Sequence, residues 1–94
     1  MFVSTIIPTV NRPVLRRAVE SVLEQGFSRD EHEVIVVNDS GGPLREDWSG
    51  VPGVTVIHTN RRERSVARNT GAAVAKGKYL HFLDDDDRLL PGAL

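Results

Sequence analysis

The sequence predicts an α/β chain: a Rossmann-like parallel sheet of about four strands with two main helices packed against it. Three observations predict it. Short apolar runs rich in β-branched residues recur along the 94 residues, and two amphipathic stretches connect them. The second run, Val34-Ile35-Val36-Val37, is β-branched throughout, as expected of a strand covered on both faces. Turn-forming or charged residues follow three of the runs directly, which in a parallel sheet places them on one edge.

The first strand is expected over residues 2–7, closed by Pro8, which cannot extend a central ladder. Asn11 is a candidate helix N-cap and Pro13 suits a first helical turn. Over residues 13–25, Leu15, Ala18, Val19, Val22 and Leu23 form one apolar stripe, with Arg16, Arg17, Glu20 and Glu24 on the wet face and Gly26 as the stop. The second strand is expected over residues 33–37, ended by the turn chemistry of Asn38-Asp39-Ser40-Gly41-Gly42-Pro43. Residues 44–53 read as irregular, and residues 54–58 as a third, shorter strand. A second helix is expected from about residue 66 to residue 76, capped by Ser65 and stopped by Gly77. Its contact face carries Ala67, Gly71 and Ala75, with Val74 alongside, and allows close approach to a sheet. Residues 78–83 form the fourth strand.

The bulk properties narrow the function. The length suits one small domain. An apolar content of 39%, a charged content of 27% and a net charge of −1 exclude a general polyanion binder, so nucleic acid is not an expected partner. The charge is unevenly placed: Arg61, Arg62, Arg64 and Arg68 cluster, and Asp84 to Asp87 form an unbroken acidic run. That pairing suits a metal-bound phosphorylated ligand. Cysteine is absent, which excludes disulfides and thiolate metal sites. No apolar run approaches the roughly 20 residues of a membrane span, and no leader pattern opens the chain. A cytoplasmic setting is expected, including a peripheral one at an inner membrane face. Residues 89–94 read as the start of another helix, so a fragment of a longer protein is expected.

The acidic run carries most of the chemistry. Each added carboxylate raises the electrostatic cost of the next unless a cation or strong donors sit among them. Asp84 and Asp86 have the D-x-D spacing with which a turn aims two carboxylates at one hard cation, Mg²⁺ or Mn²⁺. A solvated acidic loop at a helix start shows the same spacing; four acids at the end of a strand expected to be buried favour the metal. Asp39, after the second strand, suits a base N–H or a ribose hydroxyl. Arg68, in the first turn of the second helix, suits a pyrophosphate or a brace on the acidic loop. His32, His58 and His81 show no ligand spacing; His81 reads as a packed strand histidine and Trp48 as a satellite packing residue. A receiver-like domain or a D-x-D phosphatase needs its acids after the first strand, where this chain has Pro8-Thr9-Val10-Asn11.

Four ordered segments together resemble the N-terminal half of family 2 glycosyltransferases of the GT-A fold. They are residues 3–12, residues 21–25, residues 33–40, and Ala67-Arg68-Asn69-Thr70-Gly71 running through residues 76–87. The resemblance covers nearly the whole chain as a single partial GT-A domain, the nucleotide-diphosphosugar-binding half. It implies a UDP- or GDP-linked sugar donor, an unknown saccharide or other acceptor, and transfer with inversion. By this match Pro8, Thr9 and Asn11 line the nucleoside pocket, Asp39 holds the base and Arg68 braces the nucleotide side. Asp84 and Asp86 form the D-x-D pair with Mn²⁺ or Mg²⁺, Asp86 being the direct ligand, and Asp85 faces the donor ribose or sugar. The catalytic base is expected beyond residue 94. The competing expectation is a catalytically inactive nucleotide- or metal-binding fragment. The chain departs from the family pattern at Val10, often aromatic, and at Asn38, often a second aspartate.

Overall fold

A computed structural model describes residues 3–10, 13–25, 31–44, 47–48, 50–59 and 64–86, with the side chains of residues 64 and 65 left out. Within these segments the elements run β1 (Val3–Thr9), α1 (Leu15–Leu23), β2 (His32–Asn38), β3 (Val54–His58), α2 (Arg64–Val74) and β4 (Tyr79–Phe82). The four strands form one sheet in the order β3-β2-β1-β4, every pairing parallel. The expected fold class is therefore the observed one.

The side-chain alternation of the strands explains the layers. Ile7, Val34 and Val36 point to one face and join Leu15, Ala18, Val19 and Val22 of α1, with Trp48 and Leu83, in one buried cluster. Ile6, Ile35 and Val37 point to the other face and meet Ala67 of α2. The unbroken apolar run in β2 thus feeds two cores at once. The small residues of α2 permit its close seat, because a Cβ on Gly71 would lie 2.5 Å from Ile6 Cγ2.

Several local expectations change. β1 continues through Pro8 to Thr9, although β1 lies inside the sheet. The reason is which neighbour each residue faces. Val3 donates to Glu31 O and Thr9 O accepts from Asp39 N, so odd residues bond β2. Ile6 O accepts from Leu83 N at 3.0 Å, so even residues bond β4. Pro8 therefore sits on the β4 side, where its missing N–H ends the β4 ladder and leaves the β2 ladder whole. α1 is shorter than the stripe implied: its N-cap position is Val14, with no side-chain cap, and Leu23 is exposed. Asn11 and Gly26, the expected cap and stop, lie outside the described residues, as do Arg61 and Arg62. α2 begins at Arg64, so Ser65 stands inside it, and it ends at Val74. Val74 is 46% exposed and not part of the buried contact. β4 is not a buried strand: it borders the sheet, with Tyr79, Leu80 and Phe82 exposed.

Two polar links tie the sheet together. Glu33 Oε2 accepts from Ser4 Oγ at 2.6 Å and from Lys76 N at 2.7 Å, and Gly77 N donates to Ser4 Oγ at 2.8 Å. This latch fixes the α2–β4 connection. On the α1 side, the Thr5 hydroxyl lies 2.6 Å from His32 Nε2 and 3.3 Å from His81 Nδ1. Burial pushes the His32 imidazole below its ordinary range; the neighbouring His81 adds to this and Glu33 partly opposes it. Burial also lowers His81. His81 is thus hydrogen-bonded within a strand, as its position suggested, and Trp48 packs in the α1 cluster.

Candidate functional site

The strand order reverses beside β1: the chain steps from β1 outward to β2 and β3, then crosses back to β4 on the other side. In open parallel sheets the crevice outside the carboxyl ends of the strands at such a switch point is where ligands bind. Thr9 ends β1, Asp39 follows β2, and Asp84 to Asp86 follow β4, so these residues share that edge.

Hydrogen bonds join them directly. Asp39 N donates to Thr9 O at 2.9 Å, and the Thr9 hydroxyl donates to Asp85 Oδ2 at 2.7 Å. Thr9 is therefore the bridge between the turn after β2 and the acidic loop after β4. Arg68 Nη2 donates to Asp84 Oδ1 at 3.1 Å, tying α2 to the same loop, and Arg68 Nε is buried without a partner. The Asp39 carboxylate accepts from the Thr59 hydroxyl. Asp39 is 2% exposed and Asp85 3%. Pro8 is buried beneath the rim, and Val10 stands exposed on it.

The three described aspartates of the acidic run thus divide their work. Asp85 turns inward to Thr9, Asp84 takes the Arg68 guanidinium, and Asp86 is exposed. Among the described residues no group of three His, Asp or Glu side chains is arranged as a protein-only metal centre. Asp84 and Asp86 do fit the other mode of Mg²⁺ and Mn²⁺ binding, in which one or two carboxylates are completed by substrate phosphates and water. Asp84 and Asp86 lie on either side of a residue anchored to β1, so the loop is tied to the sheet by the protein's own contacts. Asn11 and Asp87 lie outside the described residues.

The sequence marks Asn38 only as a departure from the family pattern and gives His58 and Thr59 no part in the site. Asn38 ends β2 and is fully engaged with the turn after it, His58 sits beside Asn38, and Thr59 meets Asp39. The signal available was weak: a polar residue at the end of each strand, whose partners lie 20 positions away.

A parallel sheet with helices on both faces and a carboxylate-rich rim at its switch point is the partial architecture of GT-A enzymes. The family model for Glycosyl transferase family 2 matches residues 4–94, and the chain belongs to that family. It is 36% identical over 99 aligned positions to the poly(ribitol-phosphate) beta-N-acetylglucosaminyltransferase TarP of Staphylococcus aureus, an alignment covering 98% of this chain and 30% of that protein. S. aureus TarS in complex with UDP shares the fold at a TM-score of 0.77 and 24% identity, covering 94% of this chain and 28% of that one. The mannosyltransferase PcManGT from Pyrobaculum calidifontis, in complex with GDP-Man and Mn²⁺, is similar at a TM-score of 0.75 and 26% identity, covering 97% and 29%. The chain thus spans about three tenths of the length of that relative of S. aureus, TarP. Among the described residues no helix is long and apolar enough to cross a membrane.

Proposed function

We propose that this chain is the donor-binding part of an inverting glycosyltransferase that takes a UDP- or GDP-linked sugar with Mn²⁺ or Mg²⁺ and passes the sugar to an acceptor. The observation that carries the reading is the Thr9 bridge, which joins the Asp39 turn and the acidic loop across the switch point. Relatives of the same fold bind UDP and GDP-Man, the latter with Mn²⁺.

Each residue then has a task its chemistry supports. Pro8, Thr9 and Asn11 line the nucleoside pocket. The Asp39 carboxylate accepts from a base N–H, oriented by the Thr59 hydroxyl that donates to it. The Arg68 guanidinium presents fixed donors beside the acidic loop and braces it against the diphosphate. Asp84 and Asp86 hold the cation, and Asp85 anchors the loop from below while serving the ribose or sugar side. When bound, Mn²⁺ or Mg²⁺ neutralises the charge that gathers on the nucleoside diphosphate as the glycosidic bond breaks. The chain's own contribution is preorganisation: the rim is already tied together, so little ordering remains when the donor binds.

Calorimetry with UDP and GDP, with and without Mn²⁺, tests this. Binding of one of them is expected only with the metal, and Asp86→Ala is expected to abolish the metal dependence. Equal affinity in both conditions rules the proposal out.

A further inference from the structure

Asn38 ends β2 directly before Asp39 and is 1% exposed. Its amide oxygen accepts from Ser40 N at 3.1 Å and from Ser40 Oγ at 2.6 Å. Its amide nitrogen meets Gly42 O at 2.6 Å and His58 Nδ1 at 3.0 Å. The orientation of the amide follows from its unambiguous partners: a backbone N–H only donates and a backbone carbonyl only accepts. Both amide protons and both oxygen lone pairs are therefore spent within the protein. Nothing remains with which Asn38 touches a ligand.

The same bookkeeping fixes a neighbour. Because the amide nitrogen donates, His58 Nδ1 accepts, and the neutral imidazole carries its proton on Nε2. The turn is closed further by Gly42 N on Ser40 Oγ at 3.3 Å and by Gly41, which takes the left-handed φ of 81°. Asn38 O also accepts from Thr59 N at 2.8 Å, and Thr59 is the residue whose hydroxyl meets Asp39. The side-chain amide thus sets the turn that begins at Asp39 and the imidazole at the end of β3, while the main-chain carbonyl of the same residue holds the start of the segment that orients the Asp39 carboxylate.

We propose that Asn38 is a positioning residue for donor binding: it holds Asp39 in place through the turn from Asp39 to Gly42 and locks His58 as the Nε2–H tautomer. This deepens the donor-binding reading and rests on it. An aspartate in its place has the right shape and the wrong valence. A carboxylate opposes the Gly42 carbonyl outright and meets His58 only if Nδ1 carries a proton.

Two measurements on the full chain decide it. Nitrogen-15 NMR of the imidazoles at about pH 8, where an ordinary histidine is neutral, is expected to show His58 with Nδ1 unprotonated, and to show the proton moved to Nδ1 in Asn38→Asp. Calorimetry with Mn²⁺ and UDP or GDP is expected to give about tenfold weaker binding for Asn38→Asp, with amide-resonance dispersion retained. In the Asp39→Ala background the same substitution is expected to cost little more, because its effect runs through Asp39. A full tenfold loss on top of Asp39→Ala overturns the proposal, as does a His58 proton on Nδ1 in the parent chain. A parent chain with the expected tautomer that binds neither nucleotide sinks the donor reading and this role together. The wrong tautomer with nucleotide binding intact sinks this role alone.

Discussion

At the scale of single residues, the rim works because short side chains meet across long sequence separations. Thr9 and Asp85 are 76 positions apart and pair through one hydroxyl. Thr9→Val keeps the shape and removes that donor from a buried carboxylate. The expected cost is about 1–3 kcal/mol of stability, read as a lower midpoint in urea, with weaker nucleotide binding because the acidic loop loses its anchor to β1. Unchanged stability and affinity would mean that the bridge is incidental. Asp39 and the acidic run were legible in the sequence because each closes an apolar run, which a parallel sheet puts on one edge; Arg68 is expected in a first turn, whereas α2 begins four residues earlier at Arg64. Asn38 was legible only as a departure from the family pattern, and His58 and Thr59 not at all, because their importance lies in pairings between the ends of β2 and β3 that no local pattern encodes. The inward turn of Asp85 was equally hidden: four identical residues in a row give no sign of which one points to the core.

The elements themselves were largely legible, for a physical reason. The β-branched runs and the i, i+3, i+4, i+7 stripe of α1 are set by burial, and burial is what the periodicity records. The boundaries were less so, since hydrogen-bond direction decides them. Pro8 ends the ladder to β4 and not β1 itself, a distinction fixed by which neighbour its nitrogen faces. Two glycines mark where elements approach too closely for a side chain. A Cβ on Gly77 would lie 2.6 Å from Ser4 N, against the backbone of β1. Gly77→Ala is therefore expected to pry the α2–β4 connection from β1 and cost about 1–3 kcal/mol. Gly50→Ala, which meets nothing within 4 Å, serves as the control. Denaturant titrations that place both variants level with the parent would refute the close-approach account. Because β4 carries the acidic loop at its far end, the same substitution is expected to loosen metal-dependent nucleotide binding as well.

For the whole molecule, the rim and the body of the sheet answer to different chemistry. The carboxyl-end rim pairs Asp84 with the Arg68 guanidinium, while the body of the sheet holds His32 and His81 about the Thr5 hydroxyl. Between two ring nitrogens one hydroxyl serves well when one nitrogen donates and the other accepts, which two neutral imidazoles allow. Both imidazoles titrate below the ordinary value of 6.5 in the folded chain, chiefly through burial. The folded state therefore binds these protons less readily than the unfolded chain. Their contribution to stability is complete above pH 6.5 and is lost as the pH falls from there toward the folded values. Urea midpoints are thus expected to drop between about pH 7.5 and pH 5.5, and a His32→Gln, His81→Gln double variant is expected to show a flatter dependence over that window. Parallel curves for parent and double variant would mean that the pair carries no proton linkage. A parent that gains stability toward acid would reverse the sign, and would require the imidazolium to be the favoured form within the sheet.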